Sequence, residues 1–486
     1  MLEVNYETGR MSCGQRNTVF SDRPYLYSLR GRVGSSEMMG AELTQRAVLS
    51  KRTETIITGL FRGLGVALRQ RFCVCGSGIQ ETITLKNLNA EPVLLSDIGL
   101  GFAAEIGGRS EWRLFAIPFL VQLDGNRHDY TTSDLTGGTF RNAVYSDETR
   151  PFIPLAEEGR LRSEAWGWWH KDHGLVVIKY NDEDIELSVA QPLVIGDEQI
   201  LRFGGVGTCL YGEPSGGHRL QPDGKVTPKC CQWDESTGHC ALAPESEFTF
   251  GTTYYLPVEG TIEDALVCYR DFLDSRGHCF PTDYDPPVNW NELYDVGWYH
   301  SDAEKLSQNY TRERLLKEAE KASDCGCELL YLDPGWEQAE GTTLWDEERL
   351  GTVGSLIEVL KKDYGLQLGF RTILRCYRDY WPHRHMVQHP GRPKEPINWP
   401  GQLLWELCLC DHSLWEQKLE RISKIAQEGV RFLMVDEMDW RGPCHDPTHG
   451  HAVPTTASDH ARAVYGLCRE LRRLCPGLAI ECHDPV

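Results

Sequence analysis

Long apolar runs are missing from this 486-residue chain, and none approaches the roughly 18 residues that a membrane-spanning helix needs. Positive charge is scarce too: 50 Lys and Arg against 71 Asp and Glu leave a net charge of −21, with no local basic stripe. Such a field repels phosphate backbones and anionic lipid, so neither nucleic acid nor a membrane surface is expected as a partner. The opening segment MLEVNYETGRMSCG lacks a basic stretch followed by an apolar one, which predicts no signal peptide and a cytoplasmic location. There is no Gly-x-Ser-x-Gly elbow, and serine-hydrolase chemistry has no anchor. Gly137-Gly138 and Gly204-Gly205-Val206-Gly207 do not join a strand to a helix within a βαβ unit, so they do not read as phosphate cradles.

What is present is the balance of a globular protein, 41% hydrophobic and 25% charged, long enough for two or three domains, one of them a large barrel or sandwich. Eighteen Cys spread over so long a chain read as buried thiols rather than a disulfide framework. Fourteen Trp suit either core packing or a cleft in which flat rings lie on the apolar face of a sugar. The densest aromatic cluster, Trp166 to Lys171, reads as core.

From the start to Val258 the pattern is strands and turns. Glu81 to Leu85 alternates polar and apolar residues, Asn87 and Asn89 mark a turn, and Pro92 to Leu95 follows, which predicts a hairpin. Further strand-like runs are Trp112 to Leu123, Leu175 to Tyr180, Ile185 to Val189, Gln199 to Phe203 and Phe248 to Leu256. Residues 1–258 therefore read as a large β-sandwich. Thr261 to Arg276 switches to a helical period with Gly277 as its stop, and residues 259–285 read as a helical linker.

Residues 286–486 alternate strand and helix. Strands are expected at Val288 to Trp298, Glu328 to Leu332, Leu366 to Phe370, Val430 to Val435 and Leu478 to Glu481; helices at Thr311 to Ser323, Gly354 to Tyr364, Asp411 to Glu428 and Ser458 to Leu474. This order means right-handed βαβ units and a parallel sheet. Five strands make up about five-eighths of a (β/α)8 barrel, which takes about 250 residues. Either the barrel is incomplete in this chain or the sheet is open.

In a parallel barrel the reactive groups lie at the carboxyl ends of the strands. Those positions hold Trp290 and Trp298, then Asp333 and Trp336, then Arg371 and Arg375, then Asp436, Glu437 and Asp439, and lastly Glu481, His483 and Asp484. Each has a structural reading as a helix cap or a plug for the barrel mouth. Together, acids, aromatics and two arginines suit a glycoside, with carboxylates to attack, protonate or bind hydroxyls.

The segments Leu330-Tyr331-Leu332-Asp333-Pro334-Gly335-Trp336, Pro287 to Trp290, Tyr364 to Phe370, Arg431 to Asp436 and Ile480-Glu481-Cys482 resemble, in order and spacing, the catalytic barrel of glycoside hydrolase family 36, the α-galactosidase type. The β-rich first half looks like that family's amino-terminal sandwich. The resemblance implies an enzyme cleaving α-linked glycosides through a covalent intermediate, with Asp436 as nucleophile and no metal or organic cofactor. It implies that Asp333 binds sugar hydroxyls and that Trp336 forms a pocket wall; Trp290, Arg371, Glu437 and Asp439 join the expected carbohydrate-binding set. It also suggests homo-oligomers.

Three departures fall on the galactose-recognition surface: Pro334 for a second acid, Met434 for a lysine and His483-Asp484 for a small segment; separately, Arg371 stands at the end of the third strand, where the family usually has Trp. The family's acid/base comes from a sixth strand, so Asp439, Glu481 and Asp484 are the local candidates for the second carboxylate. A catalytically inactive carbohydrate-binding relic or fragment is the alternative. Cys444, His445, Asp446, His449 and His451 form a metal-capable set, but Pro447 interrupts it and no Cys-x2-Cys pair accompanies it, so a Pro/Gly-rich loop is the expectation. The same holds for His383, His385 and His389, and for Cys230, Cys231, His239 and Cys240. A cluster assembled from two loops would alter that reading.

Overall fold

The computed structural model describes residues 1–117, 129–137, 161–182, 186, 188–207, 219–220, 226–227, 241–280, 282, 284–298, 303–377, 379–389, 393–399, 402–438, 444–455 and 457–482. It forms two compact units, Met1–Arg219 with Val226–Cys279, and Leu220–Lys225 with Phe280–Val486.

The first unit is antiparallel. Strands Arg23–Val33, Val93–Glu105, Glu198–Gly207 and Ser188–Ile195 are hydrogen-bonded in that order. A second run orders Trp112–Ile117, Ala165–His170, His173–Tyr180, Thr252–Glu259, Gly78–Asn87, Val66–Cys75 and Glu54–Phe61. Met39–Ser50 pairs with both and joins them. Their inner faces share one core, in which Phe102 of the first run meets Phe72 and Tyr255 of the second at ring-centroid distances of 5.9 and 5.2 Å. Two packed antiparallel faces with one shared core are the expected sandwich.

A carboxylate sits inside that core. Glu81 accepts hydrogen bonds from Tyr25 at 2.5 Å and from Gln70 and Tyr255, and burial pushes its carboxyl up. Trp166 and Trp168 are also core, the Trp166 indole donating to the Ser188 carbonyl at 3.1 Å.

The hairpin expected across Asn87 and Asn89 does not form. Gly78–Asn87 pairs with Val66–Cys75, whereas Val93–Glu105 pairs with Arg23–Val33, so this turn carries the chain from one sheet to the other. The Asn87 side chain fixes the crossing by donating to the carbonyls of Glu91, Leu242 and Ala243 at 2.8, 3.1 and 3.1 Å. Helix Ile262–Ser275 buries Ala265, Tyr269 and Phe272 in a separate cluster with Phe115, Trp169, Val176 and Tyr254. At its start the Thr261 backbone N–H donates to Asp264 at 2.7 Å.

The second unit is built on five parallel strands in sequential order: Asn289–Asn291, Leu329–Leu332, Gln367–Ile373, Phe432–Asp436 and Ala479–Cys482. Period-two alternation sorts their side chains. Leu330, Leu332, Leu368, Phe370, Leu433 and Val435 share a core with helices Arg312–Asp324, Val353–Val359, His412–Gln427 and Ala457–Leu474. Leu329, Tyr331 and Phe432 lie on the other face, with Met434 and Ala479 against them. Gly369 is required on that face, because a Cβ there would meet Leu329 Cδ2 at 2.9 Å and Phe432 Cβ at 3.0 Å. This is the wall of a (β/α) barrel over five strands.

The first strand is shorter than expected. Asn291 accepts the Leu293 N–H at 2.9 Å, which turns the chain into the one-turn helix Leu293–Val296. Among the described residues no helix is long and apolar enough to cross a membrane.

Candidate active site

On the inner face, at the carboxyl ends of the strands, the described residues bring three of the expected groups together around one arginine. Arg371, on the third strand, is almost wholly buried and reaches four carboxylates. Its Nε donates to Asp436 Oδ2 at 2.5 Å and lies 3.5 Å from Asp333 Oδ1; one terminal nitrogen donates to Glu340 at 2.7 Å, and the other lies 3.3 Å from Glu437. Burial works against the guanidinium charge, but the pull of Glu340, Glu437, Asp436 and Asp333 outweighs it and raises Arg371 above its ordinary value. Arg371 is therefore the fixed positive centre of an acidic rim.

Asp436 ends the fourth strand, on the face that carries Phe432 and Met434. Besides Arg371 it accepts the backbone N–H of Glu437 at 2.8 Å. Successive residues of a strand face opposite ways, yet both Asp436 and Glu437 meet Arg371. The Glu437 backbone makes this possible with φ of 47°, in the left-handed region a non-glycine residue rarely occupies. Tyr377 donates to Glu437 at 3.1 Å, and Arg375 lies 3.6 Å from it.

Asp333, just past the second strand, accepts from Asn291 at 2.7 Å. Beneath it is an acid the sequence reading missed. Glu292 is fully buried, accepts the Asp333 N–H at 2.9 Å and the Tyr310 hydroxyl at 2.6 Å, and is pushed up to about 8, chiefly by desolvation. Glu340 was missed as well; burial raises its carboxyl well above the usual range, against the pull of Arg371. Glu292 directly follows the first strand, whose end the sequence pattern puts too late, and Glu340 lies away from any strand end, the signal that sequence offers.

The remaining expected residues divide. Trp336 is 1% exposed, packs against Trp345 and Phe370, and donates its indole N–H to the Arg371 carbonyl at 2.9 Å. It supports the backbone under Arg371 and has no surface to offer as a pocket wall. Trp290 points to the helix side, donating to Glu318 at 3.1 Å, and is not brought to the rim. Glu481 is exposed and shares the inner face with Ala479, in register with Met434 of the neighbouring strand. Asp439, His483 and Asp484 lie outside the described residues, as do Cys230, Cys231, His239 and Cys240.

His383, His385 and His389 are not gathered, each facing a different carboxylate: Asp379, Asp411 and Glu406 at 3.3, 2.5 and 3.6 Å. Cys444, His449 and His451, by contrast, are joined by Cys408 from another segment.

The sequence matches no protein-family model and no curated protein. Solved structures do match. The GH36 α-galactosidase AgaB from Geobacillus stearothermophilus aligns with a TM-score of 0.55 at 12% identity, over 96% of this chain and 62% of its own. The galactosidase domain of the α-galactosidase-sucrose kinase AgaSK aligns at 0.53 and 13%, over 96% and 59%. The α-N-acetylgalactosaminidase NagBb from Bifidobacterium bifidum, in a GalNAc complex, aligns at 0.58 and 12%, over 99% and 75%. This chain has the fold of part of a GH36 α-galactosidase. It spans about three-fifths of the length of the first two structures.

Proposed function

We propose that this chain is a glycoside hydrolase acting on α-linked sugars, with Asp436 as the nucleophile. The observation that carries the reading is the inner-face series Asp333 and Asp436, at the ends of their strands, with Arg371 two residues inside the end of the strand between them, in a fold shared with α-glycosidases. A carboxylate held by a buried guanidinium and a backbone N–H is kept ionised and aimed, as attack on an anomeric carbon requires. Asp333 and Glu437 are then placed to bind hydroxyls, and the raised carboxyls of Glu292 and Glu340 keep the rim from carrying a full set of negative charges.

Glu481 is the partner carboxylate we assign. It lies one strand over from Asp436 and two residues lower in register, about 8 Å away between Cα atoms at ordinary sheet spacings. With both side chains on one face, that offset is compatible with the roughly 5 to 9.5 Å carboxyl separations used by glycosidases. A second reading, a carbohydrate-binding protein without turnover, is favoured by the 2.5 Å contact that already engages Asp436 with Arg371.

Aryl α- and β-glycosides of galactose, N-acetylgalactosamine, glucose and fucose, assayed with the whole chain and with Asp436→Asn, separate the two. Release from an α-glycoside by the wild type, lost at least about 10³-fold in the folded variant, is the expected result. Sugar binding without release across the panel establishes the second reading.

A further inference from the structure

We propose that Cys408, Cys444, His449 and His451 form a closed, four-ligand zinc(II) site that ties together two loops of the parallel-sheet unit. Their ligand atoms all lie within 4.8 Å of one another, although Cys408 belongs to the segment before helix His412–Gln427 and the other three to the loop after the fourth strand. Cys408, Cys444 and His449 are buried and His451 is half-buried. Both cysteines are free thiols.

The spacing fits the metal. With Zn–S of about 2.3 Å and Zn–N of about 2.0–2.1 Å, tetrahedral geometry puts a sulfur and a nitrogen ligand about 3.6 Å apart. Cys444 Sγ lies 3.5 Å from His449 Nδ1, and Cys408 Sγ lies 3.5 Å from His451 Nε2.

The imidazoles are also set for ligation, since a histidine ligand ordinarily donates its other ring N–H to a carbonyl or carboxylate. His449 offers Nε2 to the Arg384 carbonyl, leaving the Nδ1 lone pair for the cluster. His451 offers Nδ1 to the Ala452 carbonyl at 2.8 Å, leaving Nε2. Lys394 lies 3.2 Å from His449 Nε2 but has its own acceptors in the Arg384 carbonyl and Asp446. Neither ring is drawn from its neighbouring thiol by a competing bond at the nitrogen that faces it.

Charge closes the argument. On binding, each thiol gives its proton to solvent, and two thiolates neutralise one divalent cation, so the buried cluster carries no net charge and no electron is transferred. Zinc is selected over harder cations because two sulfurs and two imidazoles in a tetrahedron are its ligand set. Four protein ligands leave no open position, so the ion is structural. It pins the loop that leaves Asp436 and Glu437 to the turn carrying Cys408.

The test is zinc content of the whole chain purified under reductant, with cobalt(II) titration of the metal-stripped protein. About one zinc per chain is expected, and cobalt should give the intense visible bands of a tetrahedral site with thiolate-to-cobalt charge transfer. Cys444→Ser and His451→Gln should each retain less than a tenth of the zinc, while His383→Ala, an exposed histidine elsewhere, keeps it. Zinc below a tenth of an equivalent in the wild type, with no thiolate–cobalt bands on titration, overturns the proposal, as does full zinc retention by both ligand variants. Should Cys444→Ser fail to fold, the wild-type cobalt spectrum and the half-buried His451 variant still decide.

Discussion

Glu292 offers the sharpest test of how the rim is held. In the fold its carboxyl is pushed up to about 8 by burial, against the opposing hydrogen bonds from Tyr310 and the Asp333 backbone; unfolded, it titrates near the ordinary 4.5. Between those values the folded state holds a proton that the unfolded state has released. Stability from this group is therefore complete below about pH 4.5 and is lost as pH rises through about 8. At about 1.4 kcal/mol for each pH unit, the gap is worth about 5 kcal/mol. Glu292→Gln keeps an acceptor for the Asp333 N–H and the Tyr310 hydroxyl but cannot ionise. The variant should match the wild type to within about 1 kcal/mol at pH 5 and exceed it by about 5 kcal/mol at pH 9, a Tm difference of roughly 10–20 °C for a unit of about 200 residues. Calorimetric melts of both proteins from pH 5 to 9 read this directly. Parallel curves over that range would refute the assignment of a buried, proton-holding Glu292.

Two further outcomes follow from buried polar contacts. Arg371→Met strips the shared cation from Asp333, Glu340, Asp436 and Glu437, and should cost about 3–5 kcal/mol; a loss below about 1 kcal/mol in thermal melts contradicts it. Arg371→Lys should recover little, since an ammonium cannot fork to several carboxylates. Tyr255→Phe removes the donor to Glu81 and the acceptor of the Gly205 N–H at 2.8 Å, and should lower the melting of the antiparallel unit by about 1–3 kcal/mol. A shift confined to the parallel-sheet transition argues against that network.

Most of the framework was legible because each element states its period. Leu329 to Leu332 and Phe432 to Asp436 are short apolar runs bounded by turn signals, and the helices between them carry clear apolar stripes, so the strand ends, and with them Asp333, Arg371 and Asp436, were locatable. What failed was which way a side chain faces when an element's end is misjudged. Extending the first strand to Trp298 hid the turn at Asn291 that buries Glu292 and sends Trp290 toward Glu318. Trp336 follows its strand as a cleft residue would, and only the packing against Trp345 and Phe370 shows it to be interior. The Asn87 turn carries every local mark of a hairpin, and its partners at Leu242 and Ala243 are too distant in sequence to be read. Cys408 is separated from the Cys444 loop in the same way, so the metal-capable residues from Cys444 to His451 lacked the member that gathers them and read as a Pro/Gly-rich loop.

On the proposed reading, Asp436 and Glu481 take different parts on one face, Asp436 attacking the anomeric carbon and Glu481 protonating the leaving oxygen. Asp436 sits against a guanidinium that cannot give up its proton, which favours the carboxylate. Glu481 is exposed on the same face, where a sugar laid over the sheet would meet it. A donor on that face has to reach the glycosidic oxygen of the bound sugar while Arg371 holds Asp436 toward the anomeric carbon. A proton donor matters most where the leaving group is a poor one. Glu481→Gln should therefore lose about 10²–10⁴-fold on alkyl α-glycosides and far less on nitrophenyl α-glycosides, whose leaving groups depart without a proton. An equal loss on both substrate types means that Glu481 binds the sugar instead of protonating the leaving oxygen, and the second carboxylate then has to come from another part of the rim.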